Sequence, residues 1–154
     1  MADVLFNPEP QSIEHPGLRA LHDYWVSRRD GGLLPGRQHL DPLDIPGLLP
    51  NLTLIDVVAA AALRYRLVGT ALVGRIGRDI TGRLVKEASL GPGWEENHPD
   101  FRYVIGERRP CLRRIWTGGA RRNPLESLRL LLPLAADGEA VDMILGGVFW
   151  PDDG

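Results

Sequence analysis

The chain has 154 residues, of which 44% are hydrophobic and 25% charged, with a formal net charge of -2. That length suits one domain with a real core, and the charge balance gives no reason to expect a nucleic-acid partner. A single cysteine, Cys111, excludes an internal disulfide and any multi-cysteine metal site.

Further classes fall away on inspection. No apolar run approaches the ~18 residues that a membrane span needs. The opening MADVLFNPEPQSIEHP has neither a basic start nor a continuous apolar stretch, so it does not read as a signal peptide. A cytoplasmic protein with no membrane partner is the expectation. Every basic residue except Lys86 is an arginine. The pairs Arg28-Arg29, Arg108-Arg109, Arg113-Arg114 and Arg121-Arg122 are spread along the chain and offset by carboxylates, which is not a nucleic-acid-binding pattern.

Residues 1–14, with Pro8 and Pro10, read as a mobile arm, and a single domain is expected over 15–150 before a tail at 151–154. From Pro16 to about Arg29 the spacing is helical. Leu18, Leu21, His22 and Trp25 fall at i, i+3, i+4 and i+7 on one face. Pro16 suits the first turn and Gly31-Gly32 the stop. Residues 33–50, rich in proline, predict an extended, turning connector. A strand is expected over 51–58, with Leu52, Leu54 and Asp56 on one face and Thr53, Ile55 and Val57 on the other. A second, antiparallel strand is expected over 63–68. Strict alternation places Leu63, Tyr65 and Leu67 together, with Arg64, Arg66 and Val68 opposite. Thr70 is a plausible cap for a short helix through Arg75, and 79–86 should form a turn and a short helical segment. A longer helix is expected around 97–108, capped by Asn97 or His98 with Pro99 in first position. Phe101, Val104 and Ile105 would be its apolar stripe. Three strands come next, near 111–117, 127–133 and 141–149; Gly118-Gly119 lie in the first hairpin and Asp137-Gly138 turn the second. Strand groups joined by hairpins and separated by helices define an α+β fold with an antiparallel sheet.

Few of these residues promise catalysis. Gly69 to Arg75, GTALVGR, has the glycine spacing of a phosphate loop. Arg75 and Ile76 replace the Lys and Ser/Thr such a loop requires, so a nucleotide is not expected. Glu95, Glu96, His98 and Asp100 form the densest set of metal-ligand types. Their place before a helix favours capping and dipole interactions instead, and no metal site is assigned. The four histidines are far apart, and no serine lies in a nucleophile elbow. Asp56, sharing a strand face with leucines, is the one carboxylate that an enzyme reading might bury and use as a base. Pairing with an arginine is the commoner fate.

Four phrases occur in order: LPGRQHLDPLDIPGLLPNLTLIDVV (Leu34 to Val58), RYRLVGTAL (Arg64 to Leu72), GRDITGRLV (Gly77 to Val85) and LRLLLPLAADGEAVDMILGGVF (Leu128 to Phe149). Together they resemble the small, stand-alone bacterial PAS-domain family, in which D-P-x-x-I-P-x-L-L-P precedes the first strand and R-Y-R-L-x-G-T joins the second strand to the first helix. The resemblance covers residues 15–149. It implies a PAS-like, five-stranded antiparallel sheet of order 2-1-5-4-3, counting the expected strands along the chain, with helices over one face and an N-terminal helix. It also implies a cytoplasmic sensory or regulatory module rather than an enzyme. No kinase, cyclase or DNA-binding segment accompanies it, so its signal would pass through self-association or a separate output protein.

PAS folds often hold a ligand between the sheet and the middle helices. The resemblance therefore nominates Tyr65, Leu67, Phe101, Val104, Ile105, Leu130, Met143 and Leu145 as lining for a small apolar or amphipathic ligand. The same residues packed to native density would leave no cavity, which would make the chain a pure protein-interaction or dimerisation module. No flavin, haem or nucleotide signature is recognised. The flavin-type cysteine motif of the middle helix is absent, and His98 stands at that helix's very start. Arg64, Arg66 and the N-terminal helix residues Leu18, Leu21 and Trp25, with Trp150, are the candidate contacts of a homodimer, since tryptophan and arginine are enriched at interface centres.

Overall fold

The computed structural model describes residues 3–59, 62–88, 94–117 and 125–151, with only the backbone at 94–97, 116, 117 and 125. The hairpin tip at 118–124 and its arginine pair lie outside the described residues. The described elements are β1 (Val4–Phe6), α1 (Pro16–Ser27), β2 (Leu52–Ala59), β3 (Ala62–Val68), α2 (Thr70–Ile76), α3 (Trp94–Glu107), β4 (Cys111–Thr117), β5 (Leu125–Leu134) and β6 (Met143–Phe149). Among the described residues the strands form one antiparallel sheet in the order β1-β4-β5-β6-β2-β3. β2 to β6 stand in the order the resemblance implied. The addition is β1: Val4, Leu5 and Phe6 pair with Arg113, Leu112 and Cys111. Part of the segment expected to be a mobile arm is thus an edge strand. Three residues are too few to show a strand's alternation in sequence.

Each face of the sheet carries its own core. On one face, here called outer, α1 packs across β5 and β6, and Ile13, Leu18, Leu21 and Trp25 meet Leu52, Leu54, Leu130, Leu132 and Leu145. His15 caps α1, its Nδ1 accepting from the Gly17 amide at 3.1 Å. The helix lies close because β6 carries glycine beneath it: a Cβ on Gly147 would sit 2.7 Å from Leu21 Cδ2 and 3.1 Å from Leu18 Cδ2. Trp25 Nε1 donates to the Pro133 carbonyl at 2.9 Å. An extended residue's N–H and C=O point to the same edge. Proline therefore sits in β5 where its missing N–H faces the side beyond the β4 pairing, which ends at Leu131.

On the inner face, α3 lays Phe101 and Val104 over Ile55, Leu63, Leu131 and Ile144. α3 starts earlier than expected, so Pro99 lies inside it rather than at its first position. The connector between α1 and β2 runs as three short 3-10 turns, Arg37–His39, Pro42–Asp44 and Leu49–Asn51. It is tied to α1 by Tyr24 Oη donating to Asp44 Oδ2 at 2.8 Å and by Arg28 Nε donating to the His39 carbonyl at 2.8 Å. Residues 79–86 form turns rather than a helical segment. They seal the free edge of β3 through Tyr65 N to Arg83 O, Gly82 N to Tyr65 O and Val85 N to Leu63 O.

Candidate functional site

The residues nominated as a single cavity lining divide between the two faces. Tyr65, Phe101, Val104 and Ile105 meet on the inner face. Leu130, Met143 and Leu145 belong to the outer core. Leu67 stands with Leu52, Leu54 and Leu145 around an outer-face groove. A bulge separates Leu67 from Tyr65. Leu54 pairs with Leu67, while the next residue, Ile55, pairs with Tyr65, which leaves Arg66 as the extra residue. For the other three the cause is cross-strand register: Ile55 faces Ile144 and Leu54 faces Leu145, so Leu145 shares a face with Leu54 rather than with Ile55.

At the centre of the inner face lies a buried ionic cluster. Asp100, fully buried, accepts from Arg113 Nη2 at 2.8 Å and from Arg129 Nη2 at 2.7 Å. Burial pushes the Arg129 guanidinium's affinity for its proton down and the facing carboxylate pulls it up, with burial the larger effect. The Asp100 hydrogen bond holds Arg113 above its ordinary value. Arg129 also lies 5.0 Å from the Phe101 ring centre. α3 is therefore fastened to β4 and β5 by charge as well as by apolar contact. Asp100 was grouped with candidate metal ligands, but both its oxygens hold arginine. Sequence reasoning passed over the cluster. Its signal is Arg129 in the middle of LESLRLLLPL: a charge in a run that periodicity buries must find a counter-charge. Cys111 is buried beside this cluster, its thiol pushed up to about 12 chiefly by burial and then by Asp100, which leaves it a packing residue.

The outer face has a different character. Between the connector, the start of β2 with the end of β3, and the start of α2 runs a groove of about 430 Å3. Leu52, Leu54, Leu67 and Leu145 form its floor, and Leu40, Pro42, Ile45 and Pro46 one wall; Arg37, Asp41 and Thr70 bring polar groups to it. Gly69 closes one end because the chain there passes against the Pro50 carbonyl, with which a Cβ would overlap. Arg37 Nη1 donates to the Leu40 carbonyl at 3.0 Å, which leaves further donors of its exposed guanidinium to solvent.

The candidate interface residues are largely engaged within the chain. Leu18, Leu21 and Trp25 are buried under α1, and Trp150 is buried with the Arg75 guanidinium 4.6 Å from its ring centre. Arg64 donates to the Gly82 carbonyl at 2.7 Å. Arg66 pairs with Asp56 at 3.1 Å, so the carboxylate considered as a buried base is a partly exposed ion-pair member. Helix α1 covers the outer face.

These features place the chain in a known class. It belongs to the PAS domain family, whose model matches residues 13–149. In structure it is similar to the LOV protein of Rhodobacter sphaeroides, with 20% identity over 71% of this chain and 66% of that one and a TM-score of 0.52. It is also similar to the PAS domain of BvgS from Bordetella pertussis, with 17% identity over 70% of this chain and 82% of that one and a TM-score of 0.52. An RNA-binding light-oxygen-voltage receptor matches with 14% identity over 98% of this chain and 39% of its own, at a TM-score of 0.54. The chain spans just under two thirds of the length of the Rhodobacter LOV protein, and at these identities the likeness is one of fold. No curated protein matches the sequence. The fold is that of a sensory or signalling module. Among the described residues no helix is long and apolar enough to cross a membrane.

Proposed function

We propose that this PAS domain is a non-enzymatic regulatory module whose outer-face groove takes a small amphipathic ligand, an apolar chain ending in an anionic head. The carrying observation is the groove itself: a leucine floor of about 430 Å3 with the Arg37 guanidinium beside it. That volume falls within the roughly 300–1,000 Å3 usual for small-molecule sites, which are mostly apolar with few placed polar groups. The inner face, where a PAS ligand was expected, holds the Asp100 cluster and the side chains packed around it. A regulatory rather than catalytic role is supported by the engagement of Asp56 and Asp100 with arginines.

A ligand there would touch the connector and the β3–α2 junction at once. The connector is hydrogen-bonded to α1, so occupancy would bias the packing of both. The output would pass to a second copy or a separate protein. Leu43, 84% exposed and next to Pro42 on the groove wall, favours the alternative that a partner's apolar segment is seated there.

Leu67→Glu separates the readings from folding effects. Leu67 is already 45% exposed, so the substitution is expected to change stability by only about 0.5 kcal/mol. Calorimetric titration with decanoate should show saturable binding to the parent chain. Binding to the variant should be weaker by about tenfold or more, equivalent to about 1.4 kcal/mol. Equal affinity for both chains would remove the ligand from this groove, and no binding of decanoate to the parent would turn the assignment toward the protein segment.

A further inference from the structure

Two of the four arginine pairs, eighty residues apart in sequence, meet in space. Arg29 at the end of α1 and Arg108 and Arg109 in the turn from α3 to β4 line one cleft of about 590 Å3, with Asn7 to Pro10 of the N-terminal segment as its third wall. Arg29 and Arg108 are near enough to repel. After burial, Arg108 is the second cause that pushes Arg29 below its ordinary value. Glu9 and Glu107 also line the cleft, yet no ion pair joins them to these arginines among the described residues. Arg29 rests 4.9 Å from the Trp25 ring centre and spends only long hydrogen bonds on carbonyls, 3.3 Å to Leu33 and 3.4 Å to Gly32.

Two further features mark the cleft. The first is His22, on the cleft wall and only 5% exposed, whose Nδ1 is buried without a hydrogen-bond partner. The second is backbone strain. Arg108, directly after α3, has φ +58°; Asn7 opposite has φ +50°, a conformation asparagine adopts readily. The position after a helix in this conformation is glycine's, and a non-glycine residue held there is a pointer to function. A cation suits a helix C-terminus, and at this position it also brings a guanidinium to the cleft.

We infer that this cleft binds the oxyanion head, phosphate or carboxylate, of a small diffusible metabolite, held by Arg29, Arg108 and Arg109. Charge-assisted hydrogen bonds from several guanidiniums are the usual means of holding such groups. The anion would relieve the repulsion between Arg29 and Arg108. It would also join α1, which belongs to the outer face, to the end of α3, which belongs to the inner face. The site shares no lining residue with the groove, so the two assignments stand or fall separately.

Arg108→Gly is the informative variant, since glycine adopts φ +58° without strain and the chain should fold at least as well. Thermal unfolding of the full chain is followed in phosphate, in acetate and in chloride at matched ionic strength, with Kd taken from the concentration dependence of Tm. Phosphate or acetate should raise the parent's Tm saturably above chloride, and the better of the two identifies the head group. In Arg108→Gly and in Arg29→Gln the Kd should weaken about tenfold, the effect of one charged donor. Arg108→Lys should restore part of it. Equal shifts in parent and Arg108→Gly, or no shift beyond chloride, would overturn the site. Binding to phosphatidylglycerol vesicles that free phosphate does not compete away would overturn its assignment to a diffusible ligand.

Discussion

His22 shows how one side chain's surroundings set a property of the whole chain. Burial pushes its pKa below 6.5; Asp23 pulls it up by less, and Arg19 pushes it further down. A base with a lowered folded pKa takes up its proton first in the unfolded chain. The stability His22 contributes is therefore complete above about pH 6.5 and is lost as pH falls toward the lowered folded value. Urea unfolding between about pH 5 and 7.5 should show the parent losing stability more steeply below pH 6.5 than His22→Gln does. Identical pH slopes would mean that His22 titrates alike in both states. Arg66 makes a complementary point. As the extra residue of a bulge it turns Leu67 onto the face opposite Tyr65, and so creates part of the groove floor.

Among the elements, α3 depends most on a single contact. Asp100 is fully buried between Arg113 and Arg129, whose side chains are 19% and 11% exposed. Removing its charge strands two guanidiniums beneath a helix. Asp100→Asn should therefore cost about 3–5 kcal/mol in denaturant unfolding, the range for breaking one partner out of a buried pair. A loss under about 1 kcal/mol, as for a surface pair, would show the cluster to be solvated.

The legibility of each element in the sequence depends on the range of the interaction that makes it. The α1 stripe of Leu18, Leu21, His22 and Trp25 was readable because helical period is local, and all four are buried. The strand order came with the resemblance rather than from spacing. Face assignment across strands was not readable: one extra residue at Arg66 leaves the sequence alternation intact while moving Leu67 to the opposite face of the sheet. Nor was the convergence of Arg29 with Arg108, or of Asp100 with Arg129, since nothing local ties residues that far apart. Arg129 among leucines announced that it needed a partner, without saying which.

At the scale of the molecule, one sheet separates two cores of different character. The inner core is closed by α3 and its ionic fastening. The outer core, under α1, is continued by a connector of short turns that leaves the groove at its margin. The arginine-lined cleft lies where the N-terminal segment, α1 and α3 meet, and the proposed anion would couple the two sides. In the arrangement we propose, a ligand read on the outer face would act first on α1 and the connector. The central claim, recognition at the outer face, is tested most directly by methyl NMR of the full chain titrated with decanoate. Saturable shifts are expected at Leu52, Leu54, Leu67 and Leu145, with Val104, Ile105 and Leu131 unmoved. Shifts centred on Val104, Ile105 and Leu131, with the outer-face leucines still, would contradict it and return the ligand to the space beneath α3.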